Sequence, residues 1–188
     1  SLIENLHLPK VFIAGHSLGG YVALAFVELY PAMLSGYCLF HSHPFGDRPE
    51  TLLKREREIK VVRAAKKYLL YPDNISQMYA TQNLEKFSHD LQRSEDIAAT
   101  ITDEGIIAVL NGMMNRPSRQ KVMEEGRVPC LWILGRMDNY ISWTDVLSKV
   151  NLPANAKVEI LENSGHMGFI EEQDLSVKLI SDFANRLG

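Results

Sequence analysis

The stretch VFIAGHSLGG, residues 11–20, decides the fold of this chain. Its first four residues, Val11–Ala14, form an apolar run without polar alternation, which predicts a strand buried on both faces. From Leu18–Tyr30 the apolar residues recur at helical spacing, and Pro31 ends the pattern. Between the two lies Ser17, so the sequence predicts a serine at the tip of a sharp strand-to-helix turn.

The turn has the pattern G-x-S-x-G, with Gly15 and Gly19 on either side of Ser17. We expect the glycines to be required because side chains would clash in so tight a bend. The helix N-terminus then points at whatever Ser17 attacks, and the N–H of Leu18 is the expected oxyanion donor. This arrangement predicts a nucleophilic serine.

A serine hydroxyl is a weak nucleophile at neutral pH and needs a base. Of the six histidines, His166 follows the last predicted strand in a glycine-framed loop, NSGHMGF at 163–169. Asp138 follows the third predicted strand and can orient the imidazole. Because the carboxyl ends of parallel strands meet at one edge of a sheet, Ser17, Asp138 and His166 are expected to converge there as a catalytic triad.

Two other acids compete with Asp138 for this role. Asp47 follows the second predicted strand, whereas Asp145 lies within a predicted helix and is more typical of a cap or a surface charge. His41 and His43 stand two residues apart near Asp47, so a metal site is conceivable, but no third ligand is evident and no metal is expected.

Three further apolar runs predict strands at Gly36–Phe40, Cys130–Leu134 and Lys157–Leu161. Their alternation with predicted helices at 143–150 and 174–187 favours an α/β fold, a parallel sheet with flanking helices. The stretch between the second and third strands contains no convincing strand. We predict a core formed by residues 1–46 and 128–188, with an inserted all-helical cap at 47–127. The predicted cap helices are 49–70, 75–81, 84–100, 104–114 and 118–125.

The composition of the 188 residues is that of a globular protein: 46% are hydrophobic, 23% are charged and the net charge is −3. These values exclude wholesale disorder, collagen and a disulfide scaffold. No apolar run reaches the roughly 18–20 residues that span a bilayer. The charge balance argues against nucleic acid as a partner, and we interpret Lys54–Lys67 as a solvated helix face. Cys38 and Cys130 lie in apolar runs, which favours buried thiols and a cytoplasmic location.

At three separated places the chain resembles the α/β-hydrolase-fold serine hydrolases, of the cap-bearing esterase, lipase and haloperoxidase-like kind. These are the turn GHSLGG at 15–20, LGRMD at 134–138 and GHMGFIEE at 165–172. The resemblance implies cleavage of an ester or related acyl bond of a small molecule, through an acyl-enzyme and without a cofactor. We expect the substrate between the sheet edge and the cap, against His16, His41, Phe45, Met113, Met114, Tyr140 and Met167.

The chain departs from that family pattern because only 16 residues precede Ser17. We therefore expect a C-terminal portion that lacks the N-terminal strands and one oxyanion donor. The strand at 11–14 should then pair with another chain or with the missing segment. Alternative functions are a non-catalytic ligand-binding module, an inactive fragment, or a lyase or perhydrolase that uses the same triad.

Overall fold

The structure, a computed structural model, describes residues 2–187 and contains a four-stranded parallel sheet. The strands lie side by side in chain order, and each pairs with the next in parallel register. They are β1 (Val11–His16), β2 (Leu34–Phe40), β3 (Cys130–Gly135) and β4 (Ala156–Leu161). The predicted α/β class is confirmed, and all four predicted strands are found within two residues of their expected bounds.

Ten helices flank the sheet or lie between its strands in the described part of the chain. They are α1 (Leu2–Asn5), α2 (Leu18–Leu29), α3 (Pro49–Arg63), α4 (Tyr71–Ser76), α5 (Ser88–Thr100), α6 (Asp103–Met114), α7 (Gln120–Glu124), α8 (Trp143–Leu147), α9 (Gly168–Glu171) and α10 (Gln173–Asn185). Short 3-10 turns occupy Pro31–Met33, Lys67–Leu69 and Thr81–Asn83.

Strand side chains alternate between two apolar layers, as the pleat requires. On one face, Tyr37, Leu39 and Trp132 pack in a cluster with Leu24 of α2 and Met123 of α7. The opposite face carries a smaller cluster, in which Cys38, Phe40, Leu131, Ile133 and Leu161 pack with Leu179, Ile180 and Phe183 of α10. The sheet is therefore covered on both faces, and both cysteines are free and buried.

All regular secondary structure described between β2 and β3 is helical, as predicted. Its helices pair locally, α3 with α6 and α4 with α5. The predicted helix over 49–70 is wrong at its end, because α3 stops at Arg63. Ala65 has a φ of +57°, and the N–H of Lys66 donates to the Val61 carbonyl at 3.1 Å, which closes the helix as a Schellman motif. The division into core and cap at residues 47 and 127 stays a prediction.

Strand β1 is less buried than its apolar sequence predicts. Val11, Phe12 and Ile13 are half-buried and Ala14 is exposed, because among residues 2–187 β1 pairs with β2 alone. The expectation of burial on both faces is wrong for this strand, and its pairing with a further strand stays a prediction. No single helix in the described chain is both long and apolar enough to cross a membrane, although α5 and α6 pass that test jointly across a 99° bend.

Candidate active site

Ser17 occupies a strained turn between β1 and α2, with φ of +51° and ψ of −114°. The turn is held by the N–H of Gly20 and the hydroxyl of Ser42, which donate to the Ser17 carbonyl at 3.0 and 2.7 Å. A Cβ at Gly15 would collide with the Gly19 carbonyl, and one at Gly20 would collide with Ser42. A Cβ at Gly19 would meet nothing within 4 Å. The expectation that a side chain would clash in this turn is therefore confirmed at Gly15 and wrong at Gly19.

The structure brings Ser17, His166 and Asp138 together in one hydrogen-bonded row. The Ser17 hydroxyl lies 2.8 Å from His166 Nε2, and His166 Nδ1 lies 2.7 Å from Asp138 Oδ2. The other carboxylate oxygen accepts the N–H groups of Tyr140 and Ile141 at 2.8 and 2.9 Å. Burial opposes ionisation of Asp138, but the hydrogen bond from His166 and the nearby imidazole of His41 outweigh it and hold the pKa of Asp138 well below its ordinary value. An ionised carboxylate directs Nδ1–H toward itself and leaves Nε2 free to accept the serine proton.

The loop that carries His166 is fastened to the segment between α4 and α5. The N–H of His166 donates to the Met78 carbonyl at 2.6 Å. The acid loop is fastened to this segment and to α4 before it, since Asn139 Nδ2 donates to the Gln77 carbonyl at 3.1 Å and the Tyr140 hydroxyl donates to the Asn74 carbonyl of α4 at 2.7 Å. Both the base and its acid therefore depend on one segment that lies outside the sheet.

Glu171 is the buried carboxylate that joins these elements. One of its oxygens accepts from Ala80 N and Asn83 Nδ2, both at 2.8 Å. The other accepts from Gly165 N at 2.8 Å and Met167 N at 3.3 Å. Four donors on one buried carboxylate lock the histidine loop against residues 80–83.

Two further imidazoles surround His166. His16 Nε2 donates to the His166 carbonyl at 2.8 Å, so its proton is on Nε2. Burial and the nearby His166 lower the pKa of His16 to about 4. His41 is fully buried, and its Nδ1 lies 3.4 Å from Asp138 Oδ2. The ring centroids of His16 and His41 lie 5.1 and 5.7 Å from that of His166.

Comparison with known proteins agrees with this arrangement. The family model described as Serine aminopeptidase, S33 matches residues 2–173. The chain belongs to this family. It is 28% identical to the putative 2-succinyl-6-hydroxy-2,4-cyclohexadiene-1-carboxylate synthase of Bacillus subtilis, across 97% of the chain and 68% of that protein. It is 29% identical to human monoacylglycerol lipase ABHD6, across 96% of the chain and 57% of that protein.

Among solved structures, a thermophilic esterase from Thermogutta terrifontis superposes with a TM-score of 0.89 at 21% identity, covering 99% of the chain and 69% of the esterase. This likeness shows the fold, and the resemblance to α/β-hydrolase-fold proteins is confirmed. The chain spans little more than half the length of the human lipase.

The residues expected to contact a substrate are distributed unevenly around the triad of this S33-family chain. Tyr140 is close, with its ring centroid 5.4 Å from that of His166 and 40% of its surface exposed. Met167 is buried in a cluster with Ile75 and Tyr79. Phe45 stacks on His43 at 5.5 Å and packs against the core.

Met113 and Met114 end α6 and are partly buried, and no contact described within residues 2–187 joins either of them to Ser17 or His166. His41 lies beneath Asp138 with no exposed surface, so the structure does not bring it to a substrate. Of the expected substrate residues, His16 and Tyr140 have the rings nearest His166, at 5.1 and 5.4 Å between ring centroids, and Tyr140 is the more exposed of the two.

The two rival acids, Asp47 and Asp145, form ion pairs with arginine and lysine side chains. Asp47 is buried between Arg55 and Arg116, at 2.6 and 2.7 Å, while Asp145 pairs on the surface with Lys149 at 2.6 Å. His43 lies 3.3 Å from the Tyr21 hydroxyl, so His41, His43 and Asp47 do not converge.

Ligand atoms that could hold a metal ion do meet at His41, Asp138 and His166, all within 4.8 Å of one another. There, however, both nitrogens of His166 already face Ser17 and Asp138. A metal ion at this point would replace the row of hydrogen bonds, and so the donor set suits proton transfer better.

The N–H of Leu18 is the first of α2 and has no partner within the helix, as at every helix start. Its place beside Ser17 is where an oxyanion donor is needed. The sequence did not single out Glu171 or Ser42, because Glu171 begins the polar run EEQD at 171–174 and Ser42 stands between two histidines.

Proposed function

We propose that this chain is a serine hydrolase that cleaves an ester or related acyl bond of a small molecule through an acyl-enzyme. The observation that carries the proposal is the continuous row from Ser17 Oγ to His166 at 2.8 Å and from His166 to Asp138 at 2.7 Å. A neutral imidazole between a hydroxyl and an ionised carboxylate is the arrangement that activates serine.

In the proposed reaction, Ser17 Oγ attacks the acyl carbonyl while His166 Nε2 takes the hydroxyl proton. Asp138 stabilises the imidazolium, and the N–H of Leu18 donates to the oxyanion. His166 then gives the proton to the departing alcohol, which leaves Ser17 acylated. Water, deprotonated by the same imidazole, then attacks the acyl group. As the acyl bond breaks, His166 returns a proton to Ser17 Oγ, and the acid is released.

The relatives support an acyl substrate without naming it. The human relative is a monoacylglycerol lipase and the structural neighbour from Thermogutta is an esterase. Membership of the S33 family supports hydrolysis in general. The ester specificity proposed for this chain comes from its triad and from these names together.

A fluorophosphonate probe tests the proposal directly, because it phosphonylates only a serine whose hydroxyl is activated. Peptide mass spectrometry should find the label on Ser17, and Ser17→Ala should abolish it. Ser181→Ala, an exposed serine on α10, serves as the matched control and should label like the wild type. Absence of label on Ser17 would refute the proposal and favour a non-catalytic ligand-binding module or an inactive fragment.

A lyase or another reaction at the same triad is the second candidate, favoured by the name of the Bacillus subtilis relative, which is a synthase. Hydrolysis of p-nitrophenyl butyrate in ¹⁸O-labelled water separates the two. An acyl hydrolase incorporates one labelled oxygen into the butyrate that it releases. Labelling of Ser17 by the probe without any ester turnover would instead favour the second candidate.

A further inference from the structure

We propose that His41 is a positioning residue for the triad, whose ring shares the Asp138 carboxylate with His166 and thereby sets how strongly His166 holds a proton. The inference rests on the proposed function, in which His166 is the base. His41 has no exposed surface and its Nδ1 lies 3.4 Å from Asp138 Oδ2, so the effect that we infer on the reaction passes through Asp138.

The backbone at His41 is strained, and two glycines leave space for its imidazole. His41 follows β2 with a φ of +45°, a left-handed conformation that is uncommon for histidine, and its exposed fraction is 0%. A Cβ at Gly168 would collide with His41 Nε2, and one at Gly135 would lie 2.9 Å from its Cε1. Two glycines, one at the end of β3 and one at the start of α9, therefore admit the ring. A buried polar ring in strained backbone, where an apolar residue would pack as well, indicates a role beyond packing.

The ring faces the oxygen that matters for the base. Asp138 Oδ1 is occupied by two backbone N–H groups, whereas Oδ2 accepts from His166 Nδ1 at 2.7 Å and lies 3.4 Å from His41 Nδ1. Neither ring nitrogen of His41 has a hydrogen-bond partner within residues 2–187, so the approach of Nδ1 to Asp138 Oδ2 at 3.4 Å is a close electrostatic contact. A proton on Nδ1 would point at the carboxylate, and it is the tautomer that the ionised oxygen favours.

The titratable groups that face His41 are His166, Asp138, Glu171 and His16. Burial lowers the pKa of His41, and the two carboxylates only partly oppose this. A neutral His41 with its proton on Nδ1 reduces the negative charge on Asp138 Oδ2. Because His41 is uncharged, it does not repel the imidazolium of His166. If that donor is removed, Asp138 attracts the His166 proton more strongly, so His166 should titrate at higher pH.

Three variants separate the donor from the packing. His41→Asn keeps an N–H donor close to the position of Nδ1, and asparagine tolerates a positive φ. His41→Gln is closer in size but places its amide near the position of Nε2. His41→Phe keeps a ring without a donor. His43→Gln is the control, since His43 faces Tyr21 rather than Asp138.

NMR titration of ¹⁵N-labelled histidine measures the protonation midpoint of His166 whether or not the chain turns over an ester. We expect the midpoint to rise by about half to one pH unit in His41→Phe and His41→Gln and to stay near the wild-type value in His41→Asn and His43→Gln. The acidic limb of the kcat/KM profile for p-nitrophenyl butyrate should move by the same amount, with kcat about tenfold lower in the first two variants.

Equal midpoints in His41→Phe, His41→Gln and the wild type would overturn the inference and assign His41 to packing alone. A ranking that follows side-chain volume, with His41→Asn the worst, would overturn it too. Loss of ester turnover in every protein, with the NMR shifts as expected, would refute the proposed function but leave the coupling between His41 and Asp138 supported.

Discussion

Replacing Glu171 with glutamine should weaken the fold and slow the base together. The buried carboxylate accepts two N–H groups on each oxygen. Glutamine keeps one oxygen and turns the other into an NH₂ group, so in either orientation two buried donors lose their acceptor and face another donor. Each buried donor left without a partner costs about 1–3 kcal/mol, so we expect a loss of about 3–4 kcal/mol in the free energy of unfolding.

For a chain of this size, such a loss corresponds to a fall in Tm of about 10 °C. Differential scanning calorimetry measures it, and Glu162→Gln is the matched control. Glu162 forms a surface pair with Arg136, and 59% of its side chain is exposed, so that variant should unfold close to the wild-type Tm. Well below the Tm, acylation of Ser17 should also slow in Glu171→Gln, because the histidine loop is released from residues 80–83. A Tm for Glu171→Gln within the range of the Glu162→Gln control would refute the reasoning.

The remaining predictions concern the turn and the histidines. Gly15→Ala should prevent folding or acylation, because its Cβ would collide with backbone, whereas Gly19→Ala should retain both and gain up to about 1 kcal/mol of helix stability, as judged by denaturant unfolding and probe labelling. Ser17→Gly should be inactive but more stable than Ser17→Ala by about 1 kcal/mol or more, since glycine relieves the positive φ, and equal urea midpoints would contradict this. Burial lowers the pKa of His16 and of His43 to about 4, so the unfolded chain binds more protons than the folded one between pH 6.5 and 4. Unfolding free energy should therefore fall as the pH decreases through this window, and His43→Gln should flatten the decrease.

The positions of the reacting groups could be predicted from the sequence because each one depends on a local pattern. A buried strand followed by a loop ends at the same edge as its parallel neighbours, so Ser17, Asp138 and His166 had to approach one another. The turn at Ser17 is visible from glycine placement and helical spacing over about twenty residues. None of these inferences needs a contact between distant parts of the chain.

Other features could not be predicted because neither residue preference nor periodicity shows them. The end of α3 at Arg63 depends on a left-handed Ala65, a conformation that no local residue preference favours. In the sequence Glu171 is one more charged residue near the last helix. Its role depends on the hydrogen bonds that it accepts from Ala80 and Asn83. His41 was expected at the rim of the site, whereas Gly135 and Gly168 admit it to the interior.

The active site is assembled partly by the strand ends and partly by contacts with a segment outside the sheet. The strand ends bring the triad side chains near one another, but the hydrogen-bond geometry depends on the segment from Asn74 to Asn83, which is bonded to both the acid loop and the histidine loop. Ser17 is held independently of that segment, by Ser42 and by its own turn. Movement of residues 74–83 would therefore shift the base and its acid together while leaving the nucleophile in place. Because proton transfer requires about 3 Å between Ser17 and His166, we predict that a displacement of residues 74–83 would slow acylation of Ser17.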